Sequence, residues 1–318
     1  MTASRSSSRP RITVTIPTFR RPERLRELLD ALPERLAECT DVDIDVLVID
    51  NDPDGSGVPA TVGTSLPLRC VHELTPGIAA VRNRALDECP DSDLIAFIDD
   101  DELPRPQWLS ALVDTWRQYG SSAVMGRVIS MFDHDADPWV LATGTFRRSP
   151  RPTGTPLEVA AAGNLLLDLG QARRLGVRFD ESLGLAGGED TLFSRQLVGR
   201  GGTIVYCAES ETEDFVIADR LTRDWATQRA FSSANAWSLA RLQLADGKLQ
   251  RLSLRARMVP GGALRMGAGA ARHLYGRLSR RLDHDARGVR THFRGRGMVA
   301  AALGRRYEEY SRGPVVGS

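Results

Sequence analysis

Hydrophobic residues in the first third of the chain form two kinds of block that alternate. Short runs of Val, Ile and Leu stop at proline or acidic residues, which is the pattern of buried β-strands. Longer segments repeat leucine or alanine every three to four residues, which is the spacing of one helical face. We predict strands at residues 12–16, 45–50, 68–73 and 94–98.

The predicted helices lie between these strands. Pro22 opens the first helix, Gly77 begins the second, and a third is expected over residues 106–119. Four alternations of strand and helix predict right-handed crossovers and a mainly parallel sheet with helices on its faces. The leucines on the apolar face of the first helix are Leu25, Leu28, Leu29, Leu32 and Leu36.

Polar residues follow these strands at their carboxyl ends. Thr18 follows the first, Asp50–Asp52 the second and Asp99–Asp101 the fourth. Ligands of parallel α/β sheets bind at this edge, so we expect the functional site there. No Gly-x-Gly-x-x-Gly motif is present, which argues against a dinucleotide-dependent oxidoreductase.

The second half of the chain is less regular. Residues 133–158 are expected to be rich in loops, and residues 179–188 form a Gly-rich loop. Strands are expected at residues 123–131, 163–168 and 203–206, and a helix begins at Glu189 and closes at Gly201.

Composition and cysteine usage indicate an ordinary globular protein. No run approaches the roughly 18 apolar residues of a transmembrane helix. Residues 1–10 lack the apolar segment of a secretory signal, and we expect a short disordered lead-in. The four cysteines have no metal-binding spacing, as expected for reduced thiols, so we predict a cytoplasmic location.

The net charge of +1 conceals an asymmetry between the two ends of the chain. Residues 248–318 contain 16 Lys/Arg and 4 Asp/Glu, a net charge of +12. We therefore divide the chain into a main domain, residues 11–245, and a basic helical extension, residues 246–318. The extension fits packed helices with a solvated basic face, or amphipathic helices on an anionic membrane surface. Nucleic-acid binding is disfavoured, because no aromatic stacking stripe accompanies the arginines.

Three adjacent carboxylates, Asp99, Asp100 and Asp101, end the fourth strand. They repel one another, so the alternatives are a solvated acidic turn and a divalent cation site. In an extended strand end, residues i and i+2 point the same way, so Asp99 and Asp101 can face one ligand. Their hard oxygens suit Mg²⁺ or Mn²⁺, which would bridge to a diphosphate.

Five segments taken together resemble the inverting family 2 glycosyltransferases. They occur in that family's order and cover roughly residues 11–220. The resemblance implies a GT-A fold, which is a Rossmann-like and mainly parallel sheet flanked by helices, and a metal-binding DXD motif. The segments are IPTFRR at 16–21, VIDNDPDGSG at 48–57, TPGIAAVRNRAL at 75–86, the three aspartates at 99–101 and GGED at 187–190.

The resemblance also implies roles for individual residues. Asp101 and Asp99 would hold Mn²⁺ or Mg²⁺, which offsets the charge on the departing nucleoside diphosphate. Asn51 stands where the family usually has a second aspartate. The residues that would bind the nucleotide sugar are Thr15, Pro17, Thr18, Asp50, Asn51, Gly77, Arg82, Asp99 and Asp100.

Glu189 and Asp190 form a second acidic group, at a predicted helix start. Carboxylates stabilise the helix dipole there, which is the structural alternative. By resemblance, Asp190 is the general base that takes the proton of the acceptor hydroxyl, and Glu189 orients a sugar. The glycines before them would allow a bulky ligand to approach closely: Gly184, Gly187 and Gly188.

Residues 210–229 lack the metal-binding histidine that many relatives have in this region, and Glu213 and Arg220 occupy it instead. Arg220, Trp225 and Arg229 fit a packed amphipathic helix or, alternatively, contacts with a diphosphate or an acceptor. We assign no role to His72 or His134.

These observations predict an enzyme of polysaccharide biosynthesis. It would transfer a sugar from a nucleoside diphosphate sugar to a glycan, lipid-linked or small-molecule hydroxyl. UDP is the default nucleotide, with GDP and dTDP open. A nucleotidylyltransferase is disfavoured because IPTFRRPERL, residues 16–25, contains no glycine for a phosphate loop. A non-catalytic module that binds nucleotide sugars or membranes on the same fold is the other alternative.

Overall fold

The computed structural model describes residues 9–132, 136–183 and 187–307. Most of the predicted lead-in, together with His134 and Gly184, lies outside these ranges. The described residues form two compact units. The sheet unit contains residues 9–129, 149–179 and 193–214, and the helical unit contains residues 130–132, 136–148, 180–183, 187–192 and 215–307.

The first half of the sheet unit follows the predicted alternation. Its first four strands pair in parallel in the order β3-β2-β1-β4. The strands are β1 (Arg11–Thr18), β2 (Asp43–Asp50), β3 (Leu68–His72) and β4 (Leu94–Ile98). The helices are α1 (Pro22–Ala37), α2 (Val58–Thr61), α3 (Ile78–Glu88) and α4 (Trp108–Tyr119).

Helix α1 confirms the leucine pattern. Pro22 occupies its first turn, where a missing N–H costs nothing, and the five predicted leucines are its buried residues. They pack on alternate residues of β1, such as Ile12, Val14 and Ile16, in one core cluster. This packing fixes the direction in which β1 delivers its carboxyl end.

The second half of the sheet is antiparallel, so the sheet as a whole is mixed. Strand β7 runs antiparallel to both β4 and β6, and β5 runs antiparallel to β8. The full order is β3-β2-β1-β4-β7-β6-β8-β5. The expected parallel pairing is therefore shown for β1 to β4. The added strands are β5 (Glu102–Pro104), β6 (Ala123–Phe132), β7 (Asn164–Asp168) and β8 (Ile204–Val216).

Strand β8 is 13 residues long, whereas the sequence predicted a strand of four. Its second half buries polar side chains, since Ser210 and Thr212 are fully inaccessible to solvent. A pattern search for alternating apolar residues therefore stops too early. The short strand β5 was not predicted either, because three residues carry too little periodicity.

Three further helices belong wholly to the helical unit from residue 215 onward. They are α8 (Arg223–Gln243), α9 (Gly247–Leu278) and α10 (Leu282–Ala302). The predicted basic helical extension is confirmed by α9 and α10. The remaining helices are α5 (Pro138–Ala142), which lies in the segment expected to be loop, α6 (Leu169–Arg174) and α7 (Glu189–Gly199).

Glycines set the distance between α9 and α10. A Cβ atom added to Gly269 would lie 2.4 Å from the backbone nitrogen of His292, and one added to Gly276 would lie 2.2 Å from that of Asp285. Gly262 and Gly295 make an equivalent contact, each near the other's carbonyl oxygen. The two backbones therefore meet without side chains between them. Among the described residues, no helix is long and apolar enough to cross a membrane.

Candidate active site

The three aspartates after β4 take different positions. All five residues of β4 are buried, so the strand delivers the acidic run to the carboxyl edge of the sheet. Asp100 is buried, and its Oδ2 accepts a 2.8 Å hydrogen bond from the hydroxyl of Thr18 at the end of β1. Asp99 and Asp101 stay partly accessible, with 34% and 18% of their side chains exposed.

Arg21 bridges two of these carboxylates. Its Nη1 lies 3.1 Å from Asp100 Oδ1 and 2.8 Å from Asp101 Oδ2. The sequence contains this arginine in the IPTFRR segment but gives no indication of its partners. Arg21 therefore supplies part of the positive charge that the acidic run requires.

Two of the carboxylates after β4, Asp99 and Asp100, carry raised pKa values. Burial raises the pKa of Asp100 to about 6, although Arg21 acts in the opposite direction. Burial also raises the pKa of Asp99, the Arg82 guanidinium lowers it, and the charges of Asp101 and Asp214 raise it again. Burial is the largest cause of both shifts, so Asp99 and Asp100 lie where the charged form of a carboxyl is poorly solvated.

Asp214 was not singled out by the sequence. It lies on β8 opposite Glu102 of β5, and its charge acts on Asp99. Glu213, which the sequence suggested in this region, instead accepts a 2.8 Å hydrogen bond from Arg105 Nε. Asp214 had no sequence signal because its relation to Asp99 depends on the pairing of β5 with β8.

Gly163 makes room for the carboxylates next to Asp99. A Cβ atom at this position would lie 2.6 Å from Glu102 Oε1 and 2.9 Å from Asp99 Oδ2. Glu102 is itself held by a 2.6 Å hydrogen bond from the hydroxyl of Thr212. The glycine thus lets two acidic side chains lie against the backbone just before β7.

Asp50 and Asn51 organise the loops after β2. Both carboxylate oxygens of Asp50 accept backbone N–H groups, 2.9 Å from Asp52 N and 2.7 Å from Gly57 N. Asn51 donates through Nδ2 to the carbonyl oxygens of Glu73 and Thr75. Asp50 and Asn51, both predicted to bind the nucleotide, therefore fix the conformation of the segments after β2 and β3.

Gly77 joins the loop after β3 to α3. Its N–H donates to Asn51 Oδ1 over 3.1 Å, and its φ of 115° is a conformation that favours glycine. One turn later, Arg82 is buried, with Nη2 3.6 Å from Asp99 Oδ1. The geometry thus brings Arg82 beside Asp99, and its predicted contact with the nucleotide sugar stays a prediction.

The Arg82 guanidinium lies over the ring of Phe179, 5.7 Å from Cζ to the ring centroid. Asn83 holds that ring in place, because its amide donates to the Phe179 carbonyl and accepts from the Phe179 N–H. Neither Asn83 nor Phe179 was predicted as a site residue. Asn83 lies in the segment at 75–86, but its contact with Phe179 depends on a residue 96 positions further along the chain.

Thr15 and Pro17 are buried within β1. Pro17 pairs with Ile49 of β2, close to the end of the strand. The hydroxyl of Thr15 has no hydrogen-bond partner among the described residues. Both residues belong to the strand that also carries Thr18.

Glu189 and Asp190 form the first turn of α7, in the helical unit. Glu189 is buried, and Asp190 is partly exposed. Asp190 Oδ1 accepts the backbone N–H of Thr191 over 2.6 Å, as an acidic side chain does at a helix start.

One of the preceding glycines, Gly188, has a packing reason that the sequence did not reveal. Gly187 and Gly188 have φ values of 73° and 87°, and a Cβ atom on Gly188 would lie 2.8 Å from the Cβ of Ala236 on α8. The expectation that Gly188 opens space for a ligand is therefore replaced by close contact with α8.

The residues flagged further along the chain are partly explained by packing. Trp225 stacks on Phe146, with ring centroids 5.4 Å apart and an interplanar angle of 1°. Arg220 lies in a short 3-10 turn before α8, and Arg229 lies on α8 itself. His72 ends β3 and is exposed. The packed-helix interpretation therefore applies to Trp225.

The acidic run fits a divalent cation that is completed by a substrate. Among the described residues, no three His, Cys, Asp or Glu side chains form a group that would hold a metal ion by themselves. Mg²⁺ is commonly bound by one or two carboxylates together with substrate phosphates rather than by an all-protein cage. Asp99 and Asp101 supply two hard oxygen donors of this kind, and both side chains are partly accessible.

The chain matches known proteins over most of its length. Residues 13–164 match the family model described as Glycosyl transferase family 2. The succinoglycan biosynthesis protein ExoM of Rhizobium meliloti is 32% identical over 251 residues, which cover 75% of this chain and 78% of ExoM. The pre-mycofactocin glycosyltransferase of Mycobacterium tuberculosis is 28% identical over 243 residues, which cover 72% of this chain and 47% of that protein.

Solved structures share the fold. TarS of S. aureus in complex with UDP-GlcNAc has a TM-score of 0.52 at 13% identity, over 93% of each chain. Mannosyltransferase PcManGT from Pyrobaculum calidifontis, in complex with GDP-Man and Mn²⁺, has a TM-score of 0.55 at 19% identity. That match covers 89% of this chain and 86% of PcManGT.

Proposed function

The chain belongs to glycosyl transferase family 2 and is a glycosyltransferase, and on that premise we propose the reaction that it performs. It transfers a sugar from a nucleoside diphosphate sugar to a hydroxyl group of a glycan, lipid-linked or small-molecule acceptor. The anomeric configuration is inverted. The observation that carries this proposal is the pair Asp99 and Asp101 at the end of β4, beside loops that Asp50 and Asn51 hold.

The donor site belongs to the sheet unit. The nucleoside binds along the loops after β1, β2 and β3, where Thr18, Asn51 and Gly77 shape the walls. A Mg²⁺ or Mn²⁺ ion held by Asp99 and Asp101 would offset the negative charge that develops on the departing nucleoside diphosphate. Arg21 and Arg82 keep the acidic run in place.

Asp190 is the general base of the proposed reaction. It accepts the proton of the acceptor hydroxyl as that oxygen attacks the anomeric carbon, while the bond to the diphosphate oxygen breaks on the opposite side. Glu189 orients a sugar hydroxyl. The geometry that supports this assignment is the position of both carboxylates in the first turn of α7, with Asp190 partly exposed.

The relatives suggest the class of donor and acceptor. UDP-GlcNAc and GDP-Man are bound in the two structural neighbours, so UDP and GDP are the first nucleotides to test. ExoM is named for succinoglycan biosynthesis, which favours a growing polysaccharide as the acceptor. We propose UDP as the default nucleotide and a cytoplasmic location, which is at the inner face of the membrane if the acceptor is lipid-linked.

Calorimetric titration of the full chain with UDP, GDP and dTDP tests the donor site. Each nucleotide is titrated with and without Mn²⁺, on the wild type and on Asp101→Ala. We expect metal-dependent binding of one nucleotide and its loss in the variant. Asp219→Ala, an exposed carboxylate of the helical unit, serves as the matched control.

Two results would contradict the proposal in different ways. Binding that is unchanged in Asp101→Ala would remove the metal role of that residue. No binding of any nucleotide would favour the alternative of a non-catalytic module on the same fold. Once the nucleotide is known, its sugar conjugates are tested as donors. The donor is the conjugate from which the enzyme releases the nucleoside diphosphate.

A further inference from the structure

Helix α9 has an apolar face that points away from the packed interior. Its buried residues are Met258, Gly262, Gly269 and Gly276, which lie on the side that meets α10. At about 3.6 residues per turn, the opposite side carries a row of apolar residues in which Ser253 is a polar interruption. Their exposed fractions are Leu249 85%, Leu252 65%, Val259 40%, Leu264 75%, Leu274 59%, Tyr275 50% and Leu278 78%.

The smaller residues in the same row are apolar as well. Ala256, Ala263, Ala270 and Ala271 are all exposed and lie between the leucines on the helical projection. With Leu249 to Leu278, they form what we call the outer stripe. The helix has 32 residues, so the stripe runs for roughly 45 Å at about 1.5 Å per residue.

Positive charge borders the outer stripe. Helix α9 contains seven Lys/Arg and no Asp or Glu. Lys248, Arg255 and Arg277 project on one side of the stripe and Arg257 on the other, and all four are exposed. An apolar row bordered by cations is the arrangement of helices that lie in the plane of a membrane interface.

The positive charges beside the outer stripe indicate which kind of partner can bind it. A second copy of the chain that packed stripe to stripe would bring two all-cationic helices together, and their like charges oppose such a dimer. An anionic lipid surface satisfies both features, because the leucines enter the acyl boundary while the arginines stay at the phosphate level. An apolar row bordered by cations favours a helix that lies in the plane of the interface.

We propose that the outer stripe of α9 docks the protein on an anionic membrane surface. The helix lies parallel to the surface, with the leucines inserted and the bordering arginines next to lipid phosphates. The docking is independent of sugar transfer, so it is measured without substrate.

Co-sedimentation of the full chain with lipid vesicles tests the proposal. The probes are vesicles of phosphatidylcholine alone and vesicles of phosphatidylcholine mixed with phosphatidylglycerol. We expect binding to the mixed vesicles, weaker binding to the neutral ones, and a loss of binding as salt is raised. In the stripe variant, Leu249→Gln, Leu264→Gln and Leu274→Gln are combined, and partitioning should fall about tenfold per leucine.

Two further variants separate the apolar and the charged contributions. Replacement of Arg255, Arg257 and Arg277 by Gln should weaken binding to the mixed vesicles about fivefold per arginine and leave neutral vesicles unaffected. Val62→Gln with Leu303→Gln is the matched control, because these apolar side chains are 69% and 65% exposed and lie off the stripe. Circular dichroism and thermal unfolding verify that each variant keeps its fold.

Three outcomes would overturn the proposal. One is no binding of the wild type to phosphatidylglycerol vesicles. Another is a folded stripe variant that binds as the wild type does, since docking would then use another surface. The third is a wild-type dimer, seen by sedimentation velocity, that the stripe variant abolishes while vesicle binding is absent, since a second copy would then occupy the stripe.

Discussion

Arg21 Nη1 lies 3.1 Å from the Oδ1 atom of Asp100, and this contact keeps the buried carboxyl from an even higher pKa. The pair connects the residue directly before α1 to the acidic run after β4. Its electrostatics make the stability of the fold depend on pH, and the sign of that dependence follows from the direction of the pKa shift.

The first prediction concerns Asp100 itself. Burial raises the folded-state pKa to about 6 from 3.8, so the protonated carboxyl stabilises the fold and this contribution is lost as the pH rises between those values. The free energy of unfolding should fall by on the order of 3 kcal/mol from pH 4 to pH 7 through this residue. Denaturant unfolding at each pH measures this decrease. In Asp100→Asn the decrease should be smaller, and the part that remains comes from Asp99, whose pKa is also raised.

Arg21→Met extends this prediction. Because the guanidinium lowers the pKa of Asp100, its removal should move the loss of stability to higher pH. Arg20→Met is the control, since Arg20 pairs with Asp52 over 3.2 Å instead. A midpoint that stays the same in Arg21→Met would mean that the arginine does not control this carboxyl.

The second prediction concerns the proposed base. Asp190→Asn keeps the size of the side chain but cannot accept the proton, so kcat should fall by about 10²–10⁴-fold. The KM for the donor should change little, because the donor site belongs to the sheet unit. Steady-state kinetics with the donor found by titration provide the measurement. Turnover that survives in Asp190→Asn would require another base.

The third prediction concerns the space beside Asp99. In Gly163→Ala the new methyl group would overlap Glu102 Oε1 and Asp99 Oδ2, so both carboxylates must move. We expect nucleotide affinity in the presence of Mn²⁺ to fall about tenfold, because a small displacement of a ligating oxygen weakens a metal site with strict geometry. Binding without metal should stay constant.

Gly199→Ala is the control for Gly163→Ala, because its added Cβ atom would meet nothing within 4 Å. Both substitutions add one methyl group to the sheet unit. Equal effects of the two on metal-dependent binding would show that Gly163 has no particular relation to Asp99.

The fourth prediction concerns the contact between α9 and α10. In Gly269→Ala the methyl group would lie 2.4 Å from the backbone nitrogen of His292, and backbone cannot give way as a side chain does. The free energy of unfolding should fall by about 1–3 kcal/mol or more. Gly267→Ala, two residues away on the exposed side, should instead stabilise the helix by about 0.5–1 kcal/mol. Urea unfolding followed by circular dichroism measures both, and opposite signs are the expected result.

Local patterns were sufficient for the parallel half of the sheet and for the acidic run. The strands β1 to β4, the buried leucines of α1 and the position of Asp99–Asp101 follow from periodicity and from the place where each apolar run stops. The fold class was predictable for the same reason, together with the order of the five family segments.

Features created by contacts between distant segments could not be predicted in this way. Asp214 comes to act on Asp99 only because β5 pairs with β8. Gly163 matters because Glu102 and Asp99 occupy the space that a side chain at this position would need. Gly188 was assigned to a ligand, but its neighbour is Ala236 on α8. Asn51 is the clearest example. Its hydrogen bonds with Glu73, Thr75 and Gly77 fix the loop after β3, which lies outside the segment at 48–57 that contains Asn51.

Helix α9 reverses the usual distribution of residue sizes, with glycines towards its neighbour and leucines towards solvent. We expect the like charges of its arginines to oppose association of this helix with other copies in water. That repulsion has a range of only about 10 Å at 0.1 M salt and about 3 Å at 1 M. The purified protein should therefore stay dispersed in dilute buffer and self-associate reversibly when concentrated salt is added.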